Sequence, residues 1–238
     1  MMNTIDETWT LVMDRADEAG QELARSLLVN KAGHRPVTLV GYSFGARIIY
    51  VCLKELAQYQ QKWEDYQIEK LAKQADGRGP PDGKRDNKGR GTKDVCKVGS
   101  LEFNREPASI VEDVILLGMP EYLNLRVWKA CRQVVAGRLV NVYSRKDKVL
   151  AYVFKYRNLM GSYKPVVGNG TVAVPGVENI DVTDMVSSHE DYSTMVGQIL
   201  QRVRHGQPVR VSSHALDEVA LLEVAQNLAE VEGGSISN

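Results

Sequence analysis

The segment from Arg35 to Gln60 constrains the fold more than any other, because a short apolar stretch runs through a glycine-flanked serine into a long apolar stretch. The first part is rich in β-branched residues and lies between Pro36 and Gly41, which is typical of a buried parallel strand. The last part is apolar at most positions, which is typical of a helix packed against a sheet. The segment therefore predicts a strand, a tight turn and a helix in direct succession.

The turn has the pattern GxSxG, formed by Gly41, Tyr42, Ser43, Phe44 and Gly45. In α/β-hydrolases such a turn is a nucleophile elbow, which holds the serine hydroxyl out toward the substrate. Side chains at the two glycines would collide where strand and helix pass closely. The helix start also directs free N–H groups, including that of Phe44, toward a developing oxyanion. The alternative is an ordinary glycine-rich turn in which Ser43 caps the helix.

Composition narrows the class of protein. The 238 residues suffice for a single domain with a sizeable core, and we treat 1–238 as one domain. The 30 basic and 30 acidic residues cancel, which argues against a nucleic-acid partner. The sequence offers no secretory signal and no apolar run of membrane-spanning length. Cys52, Cys96 and Cys131 are scattered, which indicates a reducing, intracellular compartment and predicts no disulfide framework or metal site.

Further apolar segments continue the alternation of strands and helices along the chain. We predict strands at about 113–118, 139–145 and 180–183, and helices at 4–28, 122–135, 191–203 and 213–231. Strands that alternate with helices favour a parallel sheet with right-handed crossovers. The predicted fold class is therefore α/β, with helices flanking an α/β-hydrolase-like parallel sheet.

Two regions lack the composition of a packed element. Residues 62–107 include a stretch rich in glycine, proline and charge, so we predict a disordered surface insertion there. The last residues, 232–238, are predicted to be a disordered tail.

A serine nucleophile needs a base, and the base needs an orienting acid. In α/β-hydrolases these groups follow in the order serine, acid, histidine, each on a loop after a strand. Asp147 follows the third predicted strand and His189 follows the fourth, so both fit this order. The alternatives are a surface aspartate paired with a neighbouring lysine and an exposed or helix-capping histidine. Asp184 is the second candidate for the orienting acid, which we call the reserve acid. It lies shortly before His189 on the same strand-to-helix connection, which is a poor geometry for an orienting partner.

These motifs also resemble those of a known family. GYSFGAR, VILLGMP, LVNVYSRKDKVL and NIDVTDMVSSHEDY are similar to segments of the hydrolase-like domain of the transmembrane and coiled-coil domain-containing protein 4 family. The likeness covers roughly 4–60 and 108–204. It implies a catalytic trio of Ser43, Asp147 and His189 and an activity like that of serine esterases or lipases. It also implies membrane association through hydrophobic segments upstream of the domain.

One feature departs from that family pattern: few residues precede Ser43, whereas a complete hydrolase sheet places several strands there. We therefore expect a chain that lacks the N-terminal strands and is N-terminally incomplete. The strand before Gly41 would then be an exposed edge. The oxyanion hole would keep the N–H of Phe44 but lose its usual second donor, at a cost of roughly a hundredfold to a thousandfold in rate.

Two functions follow from these observations. The first is a serine hydrolase that cleaves an acyl or lipid ester through Ser43, His189 and Asp147, with no metal or organic cofactor. The second is a catalytically silent hydrolase-like scaffold that binds partners at a membrane through the helix at 4–28 or at 213–231.

Overall fold

A four-stranded parallel sheet forms the centre of the computed structural model, which describes residues 2–29, 35–75, 95–157 and 165–205. The helices and strands are α1 (Met2–Val29), β1 (Val37–Tyr42), α2 (Phe44–Ala75), β2 (Cys96–Val98), β3 (Leu101–Phe103), β4 (Val111–Leu117), α3 (Leu125–Gln133), β5 (Leu139–Tyr143), α4 (Lys148–Arg157), β6 (Val177–Asp181) and α5 (Asp191–His205). The sheet order is β1-β4-β5-β6, and each neighbouring pair is parallel. The α/β fold class is thus confirmed.

The two faces of the sheet bury different apolar clusters, as alternation along a strand requires. On β4, Val114 and Leu116 point into the larger cluster, which α2 and α3 cover. Ile115 and Leu117 point the other way, toward the smaller cluster under α5. Both faces of the sheet are therefore covered by helices, as is usual for parallel sheets.

The strand β1 lies at one edge of the sheet. It pairs with β4 alone among the described residues, and no strand precedes it in that part of the chain. Val40 on this strand is 45% exposed. The expectation of an exposed edge before the serine is therefore met within the described residues.

The helices α1 and α2 pack closely through a row of four residues on α1, three of which are small. The row consists of Ala16, Gly20, Ala24 and Leu28, which recur at every fourth position of α1. Ala16, Ala24 and Leu28 are core residues, each at most 4% exposed. A Cβ atom on Gly20 would lie 2.6 Å from Val51 Cβ on α2. Only a glycine allows this approach, so α1 is held directly against the helix that follows the serine.

The prediction of a disordered insertion at 62–107 is wrong for residues 62–75 and 95–107. The helix α2 continues to Ala75, and β2 and β3 form an antiparallel hairpin. Trp63 of α2 stacks on Phe103 of β3, with ring centroids 5.9 Å apart. Apolar residues thus give residues 62–75 and 95–107 a packed structure, and residues 76–94 lie outside the described residues.

Other boundaries also differ from the sequence-based prediction. The fourth strand of the sheet begins at Val177, three residues before the predicted start. The helix α4 was not predicted at all. The predicted helix at 213–231 and the predicted disordered tail at 232–238 lie outside the described residues.

Candidate active site

The serine turn connects the carboxyl end of β1 to the start of α2. Ser43 has φ of 53°, the only positive φ among non-glycine residues of the described chain. Such a backbone conformation is strained for a residue with a side chain and is concentrated at functional sites. The N–H of Ser43 donates to Leu117 O over 2.9 Å, and the N–H groups of Ala46 and Arg47 donate to Ser43 O. The strained turn is thus fixed to β4 on one side and to α2 on the other.

The two glycines of the turn have different roles. A Cβ atom on Gly41 would lie 2.6 Å from Gly45 O and 2.7 Å from Ala46 N. The steric reason given for Gly41 is therefore confirmed. A Cβ atom on Gly45 would meet nothing within 4 Å, so the same reason is wrong for Gly45.

The side chains of Ser43, His189 and Asp147 form one hydrogen-bonded row. Ser43 Oγ lies 2.8 Å from His189 Nε2, and His189 Nδ1 lies 2.6 Å from Asp147 Oδ2. The three residues follow β1, β6 and β5, so all three come from the carboxyl ends of parallel strands. With the proton on Nδ1 donated to Asp147, Nε2 is free to accept the Ser43 proton. This arrangement can activate the hydroxyl as a nucleophile.

Asp147 is 0% exposed, so the alternative of a surface aspartate paired with a lysine is wrong. Its Oδ1 accepts the N–H of Leu150 over 3.1 Å, at the start of α4. Asn169 Nδ2 donates to the carbonyl oxygens of both Ser144 and Asp147, over 3.0 and 2.9 Å. Ser144 Oγ in turn donates to Val186 O over 2.6 Å, which links this loop to the one carrying His189. The carboxylate is thus held by the N–H of Leu150 and by His189, and Asn169 and Ser144 hold the loop that carries it.

The loop that carries His189 is held from the serine turn. Tyr42 donates its hydroxyl proton to His189 O over 2.8 Å, and the two rings lie 5.3 Å apart between centroids. Burial raises the pKa of Tyr42, and the charges of Asp147 and Glu190 raise it further, so the phenol stays a donor. Sequence reasoning assigned Tyr42 to the turn but missed this contact.

A carboxylate at the start of α5 shapes the same loop. Asp191 Oδ2 accepts the N–H groups of Ser187 and Ser188, each over 2.8 Å. These hydrogen bonds lower the pKa of Asp191. Asp191, the first residue of α5, therefore fixes the two serines that precede His189. Both ring nitrogens of His189 contact Asp147 and Ser43, so the alternative role of His189 as a helix cap does not apply.

The reserve acid Asp184 lies away from this row. Its Oδ2 accepts from Arg202 Nη2 over 2.7 Å in a paired ionic contact at the surface. Hydrogen bonding to Arg202 lowers the pKa of Asp184. It is therefore not a third member of the site.

The oxyanion donor predicted at Phe44 is the first residue of α2. The first N–H groups of a helix have no intrahelical acceptor and lie at its positive end. The N–H of Phe44 is thus available to a ligand beside Ser43. Within the described residues, no cluster of three or more His, Cys, Asp or Glu side chains could hold a metal ion.

A buried cation ties α1 to the serine helix. Arg47 binds Asp17 of α1 through Nε and Nη2, over 2.7 and 2.9 Å, and also contacts Glu121 and Pro120 O in the loop after β4. Burial lowers the pKa of Arg47, but the hydrogen bond to Asp17 and the charge of Glu121 outweigh it and raise the pKa. Burial raises the pKa of Glu121, which Arg47 only partly offsets.

Comparisons with known proteins place the chain in a family. A transmembrane and coiled-coil domain-containing protein of Oryza sativa, STS1, is 35% identical over 93% of this chain. An uncharacterized membrane protein of Schizosaccharomyces pombe, C6F6.13c, is 32% identical over 98% of it, and the probable lipase MIL1 of Saccharomyces cerevisiae is 32% identical over 84%. The chain spans 27%, 24% and 14% of the lengths of these three relatives.

No solved structure gives a significant match to the chain. Within the part of the chain that the structure describes, no helix is both long and apolar enough to cross a membrane. The resemblance to the transmembrane and coiled-coil domain-containing proteins is confirmed by the relative from rice. The family model described as a protein of unknown function, DUF726, matches residues 1–64 and 99–206, and the chain belongs to this family.

Proposed function

We propose that this chain is the catalytic domain of a serine hydrolase that cleaves an acyl or lipid ester. The observation that carries the proposal is the continuous hydrogen-bonded row of Ser43, His189 and Asp147 beside a strained turn. Such a row is recognised by its geometry and roles on many unrelated folds. No metal ion or organic cofactor enters the proposed reaction.

The reaction proceeds through an acyl-enzyme. Ser43 Oγ attacks the carbonyl carbon while His189 Nε2 takes the hydroxyl proton, and the N–H of Phe44 stabilises the negative oxygen. His189 then gives this proton to the departing alcohol, and the carbonyl re-forms. Water attacks the acyl-enzyme with His189 again as base, which releases the carboxylic acid and restores Ser43. Asp147 holds His189 in the required tautomer and stabilises its charged form.

The names of the relatives support the lipid part of the proposal. One is named a probable lipase, and others are named membrane proteins. We therefore propose a lipid ester presented at a membrane as the substrate, with membrane attachment through other parts of the full-length protein. We propose no nucleic-acid partner, because the basic and acidic residues balance.

A catalytically silent scaffold that binds partners at a membrane is the second candidate. One observation favours it: β1 has β4 as its single neighbour among the described residues. In α/β-hydrolases the second oxyanion donor comes from the loop of another strand. Loss of one such donor costs roughly a hundredfold to a thousandfold in rate.

Fluorophosphonate labelling of the purified chain separates the two candidates. The labelling and an assay with p-nitrophenyl esters are carried out on wild type, on Ser43→Ala and on the control Ser109→Ala. Ser109 is an exposed serine that precedes β4, at the end of that strand opposite to the serine turn. The hydrolase proposal expects labelling and turnover in wild type and Ser109→Ala but neither in Ser43→Ala. Labelling that survives Ser43→Ala refutes the nucleophile, and a folded wild type without label or turnover favours the scaffold.

A further inference from the structure

Four aromatic side chains from separate parts of the chain lie together next to the serine turn. They are Trp9 of α1, Phe44 at the start of α2, Tyr122 in the loop after β4 and Phe154 of α4. The ring centroids of Trp9 lie 4.8 Å from Phe44 and 6.2 Å from Phe154, and those of Tyr122 and Phe154 lie 4.7 Å apart. We call this group the aromatic wall. Phe44 directly follows Ser43 in the chain, so one ring of the wall belongs to the serine turn.

The aromatic wall lies apart from the two apolar clusters that flank the sheet. Neither apolar cluster of the described residues contains any of its four rings. Phe154 is buried, whereas Trp9, Phe44 and Tyr122 keep part of their surface exposed to solvent. Rings that serve only to stabilise the sheet would pack into one of the two clusters. The wall instead presents a partly exposed apolar surface at the site.

The indole N–H of Trp9 provides an independent observation. Its Nε1 atom is buried, yet within the described residues it has no hydrogen-bond partner. Buried tryptophan N–H groups usually find an acceptor, and an unpaired one is costly. Because this atom is shielded from solvent, an ester bound next to Phe44 would supply the acceptor through its oxygen atoms once the ring of Trp9 turns toward it.

We propose that the aromatic wall is the acyl-chain site of the hydrolase, with Trp9 as its specificity-determining residue. The ring of Trp9 contacts the methylene groups of the acyl chain, and its N–H donates to an ester oxygen. This inference rests on the proposed function and deepens it, because it selects esters with acyl chains of medium or greater length over acetyl esters. The ion pair of Arg47 with Asp17 holds α1, and hence Trp9, against the serine helix.

The acyl preference gives the first test. Each methylene group buried on the wall raises kcat/KM by about fourfold, so contact with two of them favours p-nitrophenyl octanoate over the acetate by on the order of tenfold. Trp9→Ala should abolish this preference. Trp9→Phe keeps a ring but removes the N–H, so it should lower kcat/KM for both esters by a similar factor and retain most of the preference.

Trp63→Ala is the matched control, because Trp63 lies about 30 Å along α2 from the serine turn and stacks on Phe103. It should keep the wild-type preference. An unchanged octanoate-to-acetate ratio in Trp9→Ala, measured on protein with wild-type circular dichroism, overturns the inference. If Trp9→Ala does not fold, Trp9→Phe decides the role of Trp9. That role is overturned if Trp9→Phe has the wild-type octanoate-to-acetate ratio and the wild-type kcat/KM for both esters.

A binding measurement separates this inference from the proposed function. In the Ser43→Ala background, 11-bromoundecanoate should quench tryptophan fluorescence with saturation, and bromoacetate should not. The further change Trp9→Phe should remove the saturable quenching. Saturable, Trp9-dependent quenching in a chain whose wild type hydrolyses nothing supports the apolar site and refutes hydrolysis. Quenching that does not depend on Trp9, in a chain whose wild type is active, overturns the inference and leaves the hydrolase intact.

Discussion

A single methyl group added at Gly41 should disrupt the serine turn. The Cβ atom of alanine would lie 2.6 Å from Gly45 O, whereas ordinary contacts begin at 3.4 Å, so the strand and helix must separate by about 0.8 Å (3.4 − 2.6). The opposing atoms belong to the backbone and cannot move aside as a flexible side chain does. Overpacking of this kind costs about 1–3 kcal/mol, and we expect Gly41→Ala to lie at the upper end of that range.

Gly45→Ala is the matched control for this prediction. The added Cβ meets no atom within 4 Å, and the position lies in the first turn of α2, where alanine is favoured over glycine. We expect its free energy of unfolding to equal that of wild type or to rise by up to about 1 kcal/mol. Urea denaturation followed by circular dichroism measures both variants. The steric reasoning fails if Gly41→Ala stays within about 0.5 kcal/mol of wild type, or if both variants lose stability equally.

Three further changes probe the site and the core. Asp147→Asn should lower kcat by about 10⁴-fold, because the amide favours the wrong tautomer of His189; a loss under tenfold in a steady-state ester assay contradicts this role. Tyr42→Phe removes the donor to His189 O, so kcat should fall by about fivefold with little change in KM, and a change in KM alone argues against positioning. Burial raises the pKa of the Cys52 and Cys131 thiols to about 12, so both should resist iodoacetamide in the native protein, as read by mass spectrometry. Because these folded-state values exceed the unfolded value of 9.0, stability should fall as the pH rises above about 9, and rapid native alkylation would contradict the burial.

The strands of the sheet were predictable to different degrees, for physical reasons. The last four residues of β4 and four of the five residues of β5 are apolar, because helices cover both faces of a parallel sheet. β6 starts with Val177, Glu178 and Asn179, and its buried Asn179 pairs with Asn141 of the neighbouring strand. A polar residue that is satisfied by a partner far away in sequence gives no apolar signal, so the predicted start was too late.

The residues of the candidate site were also predictable to different degrees. Ser43, Asp147 and His189 could be selected because each follows a predicted strand, and parallel strands bring their carboxyl ends together. The residues that hold these three side chains in place could not be identified from the sequence. Asn169 and Tyr42 act through hydrogen bonds to backbone carbonyls, and such bonds depend on where the folded chain places those carbonyls. The helix α4 was missed because its apolar residues directly follow the turn of Asp147 and include exposed positions.

The buried cation Arg47 connects the fold to the site, and its removal should produce a pH-dependent loss of stability. Its guanidinium joins Asp17 of α1 to Glu121 after β4, so it sets the position of α1 relative to the serine helix. Removal of one partner from a buried ion pair costs about 3–5 kcal/mol, because a charge is left unpaired. Arg47→Leu should therefore lose about this much at neutral pH. Arg202→Leu, which removes a more exposed partner of Asp184, should lose less than about 1 kcal/mol.

The sign of the pH effect follows from Glu121. Burial already raises its pKa in the folded protein, and without Arg47 the pKa should rise further. A carboxyl group whose folded-state pKa exceeds its unfolded value stabilises the fold below the unfolded value, and this stability is lost as the pH rises through the folded-state pKa. The loss in Arg47→Leu should thus be smaller near pH 4.5 than near pH 8, because protonation of Glu121 removes the unpaired charge. Urea denaturation of wild type and variant at both pH values measures the difference, and an equal loss at the two values would show that Glu121 is not left as a buried charge.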